Sequence, residues 1–99
     1  MPNKIKLLIV DDHLFILEGI KSSLNEIGDF EIVSSTTCDD GYSKIIESQF
    51  NHPFDIVFTG LNFSNVNECT VLDSGEKFIK KLQSEKVDIK IGVITAHSK

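Results

Sequence analysis

The chain has 99 residues, of which 40% are hydrophobic, 8% aromatic and 25% charged. That supplies one core and one domain, residues 1–99, with little burial to spare. Fifteen acidic and ten basic residues give a formal charge of −5, which disfavours direct nucleic-acid binding because phosphate contacts need a basic patch.

Ile5 to Val10 is almost continuously apolar and rich in β-branching, the pattern of a strand buried on both faces of a parallel sheet. The run is too short for a membrane span or a signal core, and Asp11 and Asp12 end it. Leu17, Ile20, Leu24 and Ile27 recur at helical spacing, and Gly28 stands where a C-terminal cap is expected. Phe30 to Ser34 alternates apolar and polar, as an edge strand does. A second helix is predicted from about Asp39 to Gln49, with Tyr42, Ile45, Ile46 and Gln49 on one face; His52-Pro53 breaks it. Phe54 to Thr59 reads as another buried strand. Residues 60–74 have no clear period and many Asn, Ser and Asp, so they form a long loop. Asp73 and Glu76 resemble a capping box opening a third helix through Phe78, Ile79 and Leu82. Lys77, Lys80 and Lys81 make its solvated face. Ile89 to Thr95 is a fourth strand. Strand and helix alternate as βαβαβαβ, which implies an α/β fold with a parallel sheet and helical crossovers.

Cys38 and Cys69 stand alone, with no CxxC and no signal peptide, and are expected to be reduced thiols of a cytoplasmic protein. His13, His52 and His97 are widely spaced and read as surface or capping residues, not ligands. No glycine-rich phosphate loop follows the first strand, which argues against a dinucleotide enzyme. In an open parallel sheet, sites form at the carboxyl ends of strands. There the sequence puts Asp11, Asp12, Gly60 and Thr95. Adjacent carboxylates repel unless something positive lies near. Two readings stand side by side: a hard divalent cation such as Mg²⁺, or helix capping by Asp12 or His13.

Leu7-Leu8-Ile9-Val10-Asp11-Asp12-His13, followed by Glu18-Gly19, resembles the opening of a receiver domain from a bacterial two-component response regulator. The Asp-Asp-His form with Glu-Gly is similar to receivers attached to helix-turn-helix transcription factors of the NarL/LuxR type. Pro53 to Phe58 resembles the third strand of that family, and Ile91 to Ala96 its fourth, with the Thr-Ala pair at its end. The resemblance covers essentially the whole chain in order. It implies a flavodoxin-like, doubly wound sheet, here truncated to about four strands and three helices.

The resemblance also implies roles. Asp11 and Asp12 would hold Mg²⁺, Asn62 would offer its backbone carbonyl to the metal, and Thr95 would be the switch hydroxyl. The phosphoacceptor aspartate falls on Gly60, which has no carboxylate to form an acyl phosphate. Asp55 lies five residues earlier, at the far end of the strand, and Thr59 points to another face, so neither substitutes. Phe63-Ser64 replaces the family's Met-Pro pair, and the loop to Gly75 is longer than usual by about seven residues. The fifth strand and its catalytic Lys are not in the sequence, and Lys99 lies too early to replace that Lys. Mg²⁺ binding is therefore expected to be weak or absent.

The sequence thus predicts a degenerate receiver in two-component signalling. It is expected not to be an enzyme and to contact a histidine kinase or another regulator protein, with no membrane. The alternatives are the N-terminal fragment of a DNA-binding response regulator and, less favoured, a Mg²⁺-dependent phosphoryl-transfer enzyme. A homodimer or higher oligomer is expected through the fourth strand and the Leu17-Ile20-Leu24-Ile27 face.

Overall fold

Ile5–Val10 forms β1, and its last four residues are buried, as a strand covered on both faces requires. The structure is a computed structural model and describes residues 4–94. After β1 come α1 (Leu14–Ile27), β2 (Phe30–Ser35), α2 (Cys38–Ser48), β3 (Ile56–Thr59), α3 (Gly75–Ser84) and β4 (Lys90–Val93). All four strands are parallel, in the order β2-β1-β3-β4. This is the expected flavodoxin-like topology with four strands and three helices. Thr95, assigned to the fourth strand by its pattern, lies outside the described residues.

The register assigns each side chain to a face. Leu8 and Val10 of β1 share one face with Val57 of β3 and pack with Cys38 and Ile45 of α2 and Phe78 and Leu82 of α3. Leu7 and Ile9 alternate to the opposite face, where α1 buries Leu17. Leu17 is closed off, Ile20 and Leu24 are half-buried, and Ile27 is 75% exposed, so the α1 stripe opens towards its C-terminal end. At the other end of α1, Leu14 and Phe15 are exposed. Among the described residues no helix is long and apolar enough to cross a membrane.

Several element ends differ from the pattern reading: β2 runs on to Ser35, β3 begins at Ile56 and not Phe54, and β4 at Lys90 and not Ile89. Ser74, not Asp73, caps α3: its hydroxyl accepts the Lys77 N–H at 3.2 Å, while Asp73 pairs with the Lys77 ammonium at 3.1 Å. Ser and Asp both cap well, and the backbone turn selects between neighbours. Gly28 is the C-cap of α1, as its place in the sequence predicts, in an extended conformation (φ −169°) with its N–H on the Leu24 carbonyl. Helix α2 begins at Cys38, one residue early, because Thr37 caps it by accepting the Asp40 N–H.

Cys38 lies in the core, and burial, followed by the Asp39 charge, pushes its thiol up to about 12. Cys69 lies exposed in the loop before α3. Iodoacetamide at pH 8 is expected to alkylate Cys69 of the folded protein and spare Cys38, with both modified in urea. Peptide mass mapping checks this, and native modification of Cys38 would contradict the packing.

Candidate functional site

The chain leaves β1 to build β2 on one side, then returns to build β3 on the other, so a crevice opens between the carboxyl ends of β1 and β3. Asp11 and Asp12 follow β1, and Gly60 follows β3 with its N–H on the Val10 carbonyl at 2.9 Å. The Asp11 carboxylate is buried, and its Oδ1 accepts the His13 N–H at 2.8 Å, a local turn that sets the entry into α1. The His13 Nδ1 lies 2.8 Å from the same oxygen and 3.0 Å from Asp12 Oδ1. Asp11, Asp12 and His13 thus bring three ligand-type atoms within 4.8 Å of one another.

Asp12 has its side chain 5% exposed, and its Oδ1 makes no hydrogen bond. The single Nδ1 hydrogen of His13 serves Asp11 Oδ1 at the shorter distance, which leaves Asp12 Oδ1 with charge contact only. Its other oxygen, Oδ2, accepts both the N–H and the Oγ–H of Ser64, each at 2.8 Å. Burial works against ionisation of Asp12, but these two bonds and the His13 charge outweigh it and hold the carboxyl below its ordinary value. The hydrogen bond to Asp11 and the Asp12 charge raise the His13 imidazole above its ordinary value. The ring thus faces both carboxylates at close range.

Gly60 lies against this pair. A Cβ there would sit 2.6 Å from Asp11 Oδ2, so the Asp11 carboxylate fills the space a side chain at position 60 would enter. Gly75 is confined by backbone: a Cβ would come within 1.9 Å of the Gly60 carbonyl oxygen. Asn62 is exposed and forms an antiparallel bridge with Ser74 at the base of the loop. The Thr95 position lies outside the described residues.

The loop is fastened across the top of the sheet. Ser64 reaches Asp12 beyond β1, the Asn65 amide donates to the Thr36 carbonyl beyond β2 at 2.9 Å, and the Asp39 carboxylate accepts the Val71 and Leu72 N–H groups. Asp55 lies at the opposite end of the strands: its carboxylate accepts the Lys6 N–H at 2.9 Å and lines a groove of about 590 Å³ with Ile5, Phe54 and Lys90. Thr59 is fully buried, and its hydroxyl donates to the Gly60 carbonyl.

His13, read from the sequence as a surface or capping residue, is the exposed N-cap residue of α1, without a side-chain cap bond, and its ring also contacts both carboxylates. The turn was legible, because an aspartate commonly accepts the N–H two positions on. Ser64 carried no such signal, since 52 residues separate it from Asp12.

Among solved structures the chain is similar to one described as MaeR response regulator bound to beryllium trifluoride, with a TM-score of 0.73 and 22% sequence identity. The match covers 95% of this chain and 69% of that one. The fold is receiver-like. No protein-family model matches the chain, and no curated protein matches it.

The donors in the crevice are carboxylate oxygens, a set suited to a hard cation, and the orphaned buried Asp12 Oδ1 is the atom most in want of one. Asp11 and Asp12 would hold such an ion, whose charge would offset their mutual repulsion. Replacing Gly75 by Ala is expected to cost about 3 kcal/mol, the upper end of the usual overpacking range, because the obstacle is backbone and not a movable side chain. Urea denaturation measures this, and an unchanged midpoint would mean that α3 shifts freely from the Gly60 turn.

Proposed function

We propose that the chain is a degenerate receiver in two-component signalling that works by protein contact, without aspartyl phosphorylation. The carrying observation is Gly60: it stands at the carboxyl end of β3, beside the acidic pair, and Asp11 Oδ2 takes the space of its missing side chain. An acyl phosphate needs a carboxylate nucleophile, and the position has none. The likeness in fold to a response regulator supports the signalling context. The partner is a histidine kinase or another regulator in the cytoplasm. The narrower likeness to receivers of helix-turn-helix regulators, from the Asp-Asp-His and Glu-Gly motifs, makes a DNA-binding output beyond this domain the second reading.

Incubation with acetyl phosphate and Mg²⁺ is expected to leave the intact mass unchanged. A stoichiometric gain of one phosphoryl group would defeat this reading.

The same reading includes self-association. Strand β4 is an edge of the sheet among the described residues, Val93 is 45% exposed, and Ile27, Leu14 and Phe15 are open on α1. Edge strands with apolar faces are templates for pairing. Sedimentation at micromolar concentration should show a dimer or larger species, and Val93→Lys should shift it towards monomer. A wild-type monomer would refute the assembly.

A further inference from the structure

We propose that Asp11, Asp12 and His13 form a site for a borderline divalent ion of the Zn²⁺ class, with the His13 imidazole as its third ligand. The site rests on reading Asp11 and Asp12 as a cation pair, and the ring changes the class of ion that pair takes. Asp12 Oδ1 is the atom that points to an ion: its side chain is 5% exposed, and this oxygen has no hydrogen-bond partner. His13 Nδ1 lies 3.0 Å from it and 2.8 Å from Asp11 Oδ1. An ion with bonds of about 2.0–2.2 Å holds neighbouring ligands roughly 3 Å apart, so these separations suit one shared ion. With the ring hydrogen on Nε2, Nδ1 and the two oxygens converge as lone-pair donors.

The remaining contacts orient the carboxylates and leave those atoms available. Ser64 donates its N–H and its Oγ–H to Asp12 Oδ2, the other oxygen, which holds Oδ1 towards the ring. The His13 N–H donates to Asp11 Oδ1 and fixes that carboxylate at the corner between β1 and α1. Metal-ligating carboxylates are commonly held by outer hydrogen bonds of this kind. The His13 side chain is 63% exposed and makes no cap bond, so its ring can swing out to admit an ion and close over it. Mg²⁺ and Ca²⁺ take oxygen ligands, whereas imidazole suits Zn²⁺ and its neighbours, which also accept carboxylate. Two carboxylates, a neutral imidazole and a divalent ion sum to zero charge, which removes the repulsion within the pair. Occupancy of the site gives a domain without a phosphoacceptor another way to change the charge of its upper surface.

The test compares Zn²⁺ and Mg²⁺ on the full chain carrying Cys69→Ser, which removes the exposed thiol, and on the same chain with His13→Ala. Competition with a chromophoric chelator should show stoichiometric Zn²⁺ binding, tighter than Mg²⁺ binding measured by calorimetry. His13→Ala should weaken Zn²⁺ by at least about tenfold, the least that loss of even an outer-shell partner usually costs, and should weaken Mg²⁺ less. With the ring intact, ¹⁵N spectra should show Zn²⁺ shifting His13 Nδ1 while Nε2 keeps its hydrogen. Equal Zn²⁺ affinity with and without the ring, or an unmoved Nδ1 resonance at saturating Zn²⁺, would overturn the ligand role of His13 and leave the cation pair standing. Mg²⁺ bound as tightly as Zn²⁺ would overturn the class of ion. No binding of either ion would overturn the cation pair as well.

Discussion

Strand β1 has parallel neighbours on both sides and helices over both faces, and this double covering fixes nearly everything else. Because its side chains are buried on both faces, the register with β2 and β3 has no freedom to slip without driving a charged or polar neighbour into the core. With the register fixed, Asp11 and Asp12 must emerge at the crevice, beside the Gly60 turn that ends β3. The chemistry of the upper surface is therefore a consequence of how Leu7 to Val10 are packed.

At that surface the fold presents an acidic pair without the carboxylate that would make a third. The chain compensates with its own groups. His13 brings a ring nitrogen to both carboxylates, and Ser64 brings two donors to Asp12. Asp11 Oδ2 lies where a Cβ at position 60 would stand. The result is a carboxylate pair met in part by groups of the chain itself, with Asp12 Oδ1 left without a hydrogen bond.

The sequence carried the strands and helices because periodicity is a local property. The apolar run of β1, the i, i+3, i+4 stripe of α1 and the alternation in β2 each report burial over one element. Capping was less legible: Asp73 and Ser74 are both good capping residues, and only the turn at Gly75 shows that Ser74 takes the role. Asp11 and Asp12 were visible as an unusual pair at a strand end. His13 was legible as a surface residue at the start of α1, where it does stand, but its ring contact with both carboxylates was not. Ser64 was out of reach, since a loop without period says nothing of where its tip will lie.

The central strand also has a consequence for how the molecule is assembled. Its bonding partners on the β3 side lie far along the chain: the backbone of Lys6 meets Asp55 across 49 residues. During synthesis β1 leaves the ribosome first, yet it cannot complete its pairing until β3 has followed. For that interval Leu7, Leu8, Ile9 and Val10 are covered at best by the α1–β2 unit. Non-local parallel pairing of this kind slows folding and lengthens the exposure of apolar chain. The segment that most firmly specifies the native sheet is thus also the one most in need of protection by chaperones while the chain is incomplete.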